Sequence, residues 1–350
     1  MMPNSNAAID RSASSSTRSL ARWFQRHREK LWWLHSLYAL ALGIGIMWLG
    51  TQKFAYLRVT VFHISFIWLS SLFLPRLLNH PRLSTRWAAR VRLFVNYFNK
   101  NFYQQMLFFV LPIYYASATL FSRNIVFVLL VGLSAILSTL DIIYDRHLSV
   151  SRTLTALFFA FNLFALINVM LPVLWSVSNT WTTRLSAVLA AMGFLTLFYP
   201  LAKSKRRSVA LGVLIIVLLV AVVEWGRTFI PPAPLRLANV EFGTGFQPES
   251  LRLESPVSEL APGRAVRLYG LTAIKAPLGL EERVQHRWYQ NGKLIWASPF
   301  YNMTGGREEG YRVWSACSFD NIAPGTELRL DLETEGGQLI GRALLKAVKA

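Results

Sequence analysis

The chain has 350 residues, of which 53% are apolar and 16% are charged, whereas roughly a quarter of the residues in a typical soluble domain are charged. This composition favours an integral membrane protein. The net charge is +19, but residues 241–350 contain equal numbers of basic and acidic side chains, so all of it precedes residue 241. Because it lies in short segments between apolar runs, the charge argues against nucleic-acid binding.

The chain begins with a polar, basic segment, residues 1–30, that has little to bury and is predicted to be a disordered cytoplasmic tail. The apolar run Leu31–Gly50 follows it. At about 1.5 Å per residue, a helix of this length matches the bilayer core. It is longer than the apolar part of a signal peptide, so an uncleaved span is expected.

Further apolar runs continue to residue 230 and predict a membrane all-α bundle, residues 31–230, of about seven transmembrane helices. The predicted spans are 31–50, 54–74, 103–121, 125–140, 154–177, 185–201 and 209–230. The fourth and the sixth are the shortest.

The distribution of basic residues predicts an orientation. With the N-terminus in the cytoplasm, most lysines and arginines fall in cytoplasmic segments, including Lys203, Lys205, Arg206 and Arg207 before the last run. An odd number of spans exports the C-terminal part. The C-terminal domain is therefore expected on the non-cytoplasmic side of the membrane.

The predicted cytoplasmic loop between the second and third spans, residues 75–102, contains an amphipathic pattern at residues 82–98. Trp87, Val91, Phe94 and Phe98 recur at helical spacing, and three arginines repeat every four residues on another face: Arg82, Arg86 and Arg90. This pattern is typical of an amphipathic helix that places its arginines on anionic lipid. An ordinary connection whose arginines only fix the topology is the alternative.

Ionisable residues within predicted spans are candidate functional groups. Glu224 and Arg227 are three residues apart, so they can meet on one helix face. The pair indicates either a salt bridge that ends the span or a gate or substrate contact at the outer face.

Two other candidates are weaker as sites. His63 lies in the middle of the second run, where it forms either a proton relay or an ordinary hydrogen bond. Asp141 and Asp145, near His147, form either a metal site or ion pairs with Arg146 and neighbouring arginines. The sequence assigns no catalytic, cofactor-binding or metal-binding residue.

After a linker at residues 231–236, the periodicity changes to two, which predicts an all-β domain at residues 237–350. Asn291-Gly292 is a strong hairpin signal. About seven short strands with frequent turns favour an immunoglobulin-like sandwich, and other all-β barrels remain open. The expected strands are 236–242, 265–274, 284–289, 294–297, 311–319, 327–332 and 338–348.

Residues Val284–Val348 resemble the bacterial domain-of-unknown-function family 2914. The resemblance rests on a tryptophan strand before a hairpin, an Arg-x-Trp-Ser strand and a Pro-Gly turn, and departs at Thr326-Glu327-Leu328. The matching residues are His286, Trp288, Asn291, Gly292, Arg312, Trp314, Ser315, Pro324, Gly325, Gly337 and Gly341. The helical half is similar in arrangement to family 5924. Neither resemblance implies an activity. Because family 2914 is bacterial, the resemblance implies that the membrane is the bacterial inner membrane and that the C-terminal domain is periplasmic.

The β domain contains an aromatic and cationic set: His286, Trp288, Tyr289, Arg312 and Trp314. On exposed faces this set would suit a sugar or a peptide. Alternatively, the tryptophans belong to the core and make cation–π contacts.

No motif for a nucleophile, a phosphate or a metal appears in the sequence. The sequence therefore favours a non-enzymatic envelope protein whose β domain binds an envelope protein or a glycan. The alternative is a transporter, or a membrane enzyme that acts on a lipid-linked or envelope substrate.

Overall fold

The structure is a computed structural model that describes residues 106–140, 151–198, 205–263, 265–320 and 322–348, together with Leu37 and Ala41. A helical part precedes a β-rich part. The helices are α1 (Met106–Ala116), α2 (Ile125–Thr139), α3 (Arg152–Trp175), α4 (Asn179–Phe198) and α5 (Lys205–Trp225), followed by a 3₁₀ helix (Arg227–Phe229).

The prediction of seven transmembrane helices is wrong. The described residues form five α-helices, of which one, at Thr153–Trp175 in α3, is long and apolar enough to cross a membrane. The 15 residues of α2 span about 22 Å, which is less than the hydrocarbon core. In α5, the apolar part of the helix is Val209–Trp225, which is too short for a span, and the helix ends there although the apolar run continues to Ile230.

Several predictions concern residues outside the described ranges. They are the tail at residues 1–30, the amphipathic helix at 82–98, and the runs 31–50 and 54–74, of which the structure describes only Leu37 and Ala41, both helical.

Aromatic packing holds the helical part together. The ring of Phe127 in α2 lies 5.0 Å from that of Tyr114 in α1 and 6.0 Å from that of Phe164 in α3. α3 and α4 approach closely at Gly193, where a Cβ would lie 2.6 Å from the side chain of Leu163. A small residue is therefore needed at this helix crossing.

The β-rich C-terminal part that the sequence predicts is present. Its strands are β1 (Arg236–Gln247), β2 (Arg252–Pro256), β3 (Val266–Lys275), β4 (Glu281–Gln290), β5 (Lys293–Ala297), β6 (Tyr301–Thr304), β7 (Tyr311–Phe319), β8 (Glu327–Thr334) and β9 (Leu339–Lys346). The seven expected strands coincide with strands of the structure, and the sequence analysis missed β2 and β6.

The strands form two antiparallel sheets. One has the order β2-β1-β3-β7, and the other has the order β5-β4-β8-β9, with β6 also paired to β4. Residues of both sheets, including Leu268, Trp288 and Leu330, share a buried core between them. Because side chains alternate along each strand, each sheet also has an outer face.

The β4–β5 hairpin shows how local sequence fixes the register. Asn291 and Gly292, which connect the two strands, have φ values of 49° and 81°. Positive φ at both central residues is what a type I′ turn requires, and Asn-Gly adopts it at little cost. The hairpin prediction is therefore confirmed.

Candidate functional sites at the domain junction and on the outer sheet face

Glu224 and Arg227 meet, as their spacing predicts. The Glu224 carboxylate lies 3.2 Å from Nη1 of Arg227 and 2.9 Å from Nη2 of Arg184, which comes from α4. The Arg184 and Glu224 side chains are 42% and 39% exposed, so their ion pair contributes little free energy.

Arg227 also reaches the β-rich part. It is 5% exposed, and its Nη2 donates a hydrogen bond to the Thr180 carbonyl at 2.9 Å. Its guanidinium packs against Gly336 in the β8–β9 turn, where an added Cβ would lie 2.8 Å from Nη1. The guanidinium therefore joins α4, α5 and the β8–β9 turn.

Glu282 makes the most direct connection between the two parts. This β4 residue is 5% exposed, and its Oε2 accepts a hydrogen bond of 2.6 Å from the backbone N–H of Asn179, the first residue of α4. A carboxylate at this position satisfies a free helical N–H and faces the positive end of the helix dipole. Burial raises the pKa of Glu282, while the N–H donors of Asn179 and Arg283 and the charge of Arg227 oppose the rise.

Gln338 adds a second connection. It is completely buried, its Nε2 donates to the Ile230 carbonyl at 3.0 Å, and its Oε1 accepts from Asn179 Nδ2. Asn124 Nδ2 donates to the Leu339 carbonyl at 3.1 Å. We call the residues Asn124, Asn179, Arg227, Glu282 and Gln338 the junction seam.

The other predicted intramembrane candidates lie outside the described residues. They are His63, Asp141, Asp145, Arg146 and His147. Among the residues that the structure does describe, no group of three or more His, Cys, Asp or Glu side chains has a metal-binding arrangement.

The predicted aromatic and cationic set is divided by the fold. His286 and Trp288 are completely buried between the sheets. The His286 ring nitrogens lie 2.7 Å from Ser315 Oγ and 2.9 Å from Thr272 Oγ1, and Trp288 Nε1 donates to Ser315 Oγ at 2.9 Å. Burial lowers the pKa of His286 to about 3, so the ring is neutral and belongs to the core.

Tyr289 follows Trp288 on β4, and the Arg329 guanidinium of β8 lies 4.0 Å from the centre of its ring. Trp314 and Arg312 share the outer face of β7, as alternation predicts. The Trp314 ring stacks on that of Phe246 at 4.4 Å, and Phe246 stacks on Tyr269 at 6.0 Å. We call Phe246, Tyr269 and Trp314 the aromatic patch.

A cleft of about 430 Å³ lies on the same outer face. Its lining residues are Asn239, Glu241, Leu251, Arg252, Leu253, Leu271, Ala273, Glu309 and Arg312. The sequence analysis identified Arg312 and Trp314 but missed Phe246 and Tyr269. Alternation along β3 was the available signal for Tyr269, whereas Phe246 lies beyond the predicted end of its strand.

The raised pKa of Glu282 predicts a pH dependence of stability. The folded state favours the protonated carboxyl of Glu282. The contribution of this group to the free energy of unfolding is therefore complete below the ordinary pKa of 4.5 and is lost as pH rises through the folded pKa. Wild type should therefore lose stability relative to Glu282→Gln as pH rises, measured by unfolding in detergent. Glu281→Gln, at an exposed neighbour, is the control and should follow wild type. If the free energies of unfolding of wild type and Glu282→Gln change with pH in parallel, the Glu282 carboxyl is not buried.

His286 predicts the opposite sign. The pKa of His286 falls from 6.5 to about 3 on folding. Its contribution to the free energy of unfolding is therefore present above pH 6.5 and is lost as pH decreases. Between pH 6.5 and 5, wild type should lose about 2 kcal/mol that His286→Gln does not lose. Unfolding curves of both proteins at these two pH values measure the difference. Equal losses would show that His286 is not buried as a neutral ring.

Comparisons with known proteins give one family. No curated protein matches the sequence. An immunoglobulin-like protein from Pseudomonas aeruginosa aligns at 11% identity over 33% of this chain and 97% of its own, with a TM-score of 0.21. Pseudomonas fluorescens alkylpurine DNA glycosylase bound to DNA with an abasic site analogue aligns at 10% identity over 77% of this chain and 83% of its own, with a TM-score of 0.20. Similarities this low support no inference.

The family match is extensive. The model of a family of unknown function, DUF5924, matches residues 12–273, from the N-terminal tail into β3. It therefore includes the helical part and the first strands of the β-rich part. The resemblance of Val284–Val348 to family 2914 stays a prediction. The chain belongs to the family of unknown function DUF5924.

Proposed function

We propose that this protein is an integral inner-membrane protein that holds a β-rich binding domain in the periplasm, where the domain binds a component of the bacterial envelope. The observation that carries the proposal is the arrangement of side chains on the outer face of the four-stranded sheet. There a cleft lies beside the exposed ring of Trp314, on a domain fixed to the helices by the junction seam.

The surface of the helices supports a membrane location. In α5, Val213, Val217 and Leu218 are more than half exposed, although Ile215 and Val223 of the same helix pack on the core. In α2, Leu129 and Leu133 are similarly exposed. Within the described structure, these apolar surfaces are typical of lipid contact, since contiguous apolar surface is rare on soluble monomers.

The ends of α5 support the orientation. Lys203, Lys205, Arg206 and Arg207 lie at or just before its start, which favours the cytoplasmic side. Its other end, at Trp225, leads through the 3₁₀ helix to β1. Trp225 is 87% exposed, and tryptophan favours the membrane interface. This arrangement favours a periplasmic location for the β-rich part.

The junction seam supports a β-rich part that is held in a fixed position on the helices, rather than one that moves freely. Asn179 contacts both Glu282 and Gln338, so the start of α4 is fixed to two places in the β-rich part. Buried polar groups of this kind are costly to separate, because each loses its partner. A ligand at the cleft would therefore be held at a defined position relative to the membrane.

The periplasmic location can be tested with cysteine labelling. Cys317 is buried, so a membrane-impermeant maleimide should not label wild type in intact cells. Lys293→Cys, at an exposed position after the β4–β5 turn, should be labelled once the outer membrane is permeabilised. Labelling only after the inner membrane is disrupted would refute the orientation.

Binding at the outer sheet face can be tested with a photo-crosslinking phenylalanine at position 314. The matched control is position 296 on β5, because Trp314 and Trp296 are each 37% exposed strand tryptophans of different sheets. We expect an adduct with an envelope component in intact cells at position 314 and none at position 296. The absence of any adduct at position 314 would refute the proposed binding face.

A further inference from the structure

The outer face of the four-stranded sheet carries side chains in regular rows across three strands. Strand pairing places Leu271 between Glu241 and Trp314 in one row across β1, β3 and β7. The next row places Ala273 between Asn239 and Arg312. Paired residues on one face of a sheet are neighbours. Trp314 therefore borders the cleft whose floor is Leu271 and Ala273.

The aromatic patch presents a fixed ring at the border of this cleft. Phe246 and Trp314 stack with an interplanar angle of 30°, and Phe246 and Tyr269 with an angle of 16°. Trp314, a member of this stack, is 37% exposed. Because its orientation is set by the stack, a ligand that packs on this ring does not have to order it first.

Polar side chains in the cleft are also held in place. Asn239 Nδ2 donates to Glu241 Oε1 at 2.7 Å, and the Arg312 guanidinium lies 3.0 Å from Glu309. Each of these contacts uses only part of the capacity of the groups, since a carboxylate accepts several hydrogen bonds and a guanidinium donates five. The remaining capacity suits a ligand with several hydroxyl groups.

The charge of the lining argues against a strongly charged ligand. Arg252 and Arg312 are balanced by Glu241 and Glu309, so neither a polyanion nor a basic peptide is favoured. Strand addition by a peptide requires a free strand edge, whereas the cleft lies over the face of paired strands. The volume of about 430 Å³ falls within the range of small-molecule sites.

We propose that this cleft binds a short neutral saccharide, with one pyranose ring stacked on Trp314 and its hydroxyl groups bonded to Asn239, Glu241 and Arg312. The C–H face of a pyranose is weakly positive and fits the negative face of an aromatic ring. This inference rests on the proposed function and names the ligand class of the same face.

The test uses the full chain in lipid nanodiscs and isothermal titration calorimetry. The probes are the β-1,4-linked tetramers of N-acetylglucosamine and of glucose, with an uncharged extended peptide as the comparison. We expect at least one tetramer to bind, and Trp314→Ala to weaken its binding at least about tenfold, which is the loss of one stacking contact. Trp314→Tyr retains a ring and should lose less.

Trp296→Ala is the matched control and should leave the dissociation constant unchanged. Glu241→Gln removes a charge but retains an acceptor, so it should weaken binding less than Glu241→Ala. Saccharide binding that survives Trp314→Ala in a folded variant would overturn the proposal. Binding of the peptide alone would also overturn it.

The crosslinking experiment separates the two proposals. If no saccharide binds but position 314 still forms an adduct with an envelope component, the saccharide inference fails and the proposed function stands. If neither saccharide binding nor an adduct is observed, both fail.

Discussion

Glu282 carries a carboxylate that is almost completely shielded from water, and the group that faces it is the N-terminus of α4. Removing a carboxylate from water is costly unless hydrogen bonds and opposite charge compensate. The helix N–H and the nearby Arg227 supply part of that compensation, and both belong to the helical part. The β-rich part is therefore fixed to the helices by an interaction that neither part can satisfy alone.

Attachment and the proposed binding use different sheets. Glu282 and Leu339 belong to the five-stranded sheet, and Gln338 lies directly before β9. The cleft and the aromatic patch belong to the other sheet. Since a sandwich buries the inner faces of both sheets, each outer face is free for a separate role. This separation leaves the cleft available while the junction stays closed.

Local patterns predicted the β-rich part well and the helical part poorly. Alternation and the Asn291-Gly292 turn are properties of neighbouring residues, so the expected strands coincide with strands of the structure. The seven-span prediction failed because an apolar run does not show where a helix ends. Gly226 follows α5 within a run that continues to Ile230, and α2 is too short for the bilayer core.

The sequence by itself determined the partition of charge, the change from helical to strand periodicity, the turn at Asn291-Gly292 and the meeting of Glu224 with Arg227. Each depends on residues a few positions apart. Only the tertiary structure decided that His286 is buried while Trp314 is exposed, and that Glu282 faces Asn179, 103 residues away. Alternation assigns a residue to a face of its strand, but which face is covered depends on the packing of distant segments.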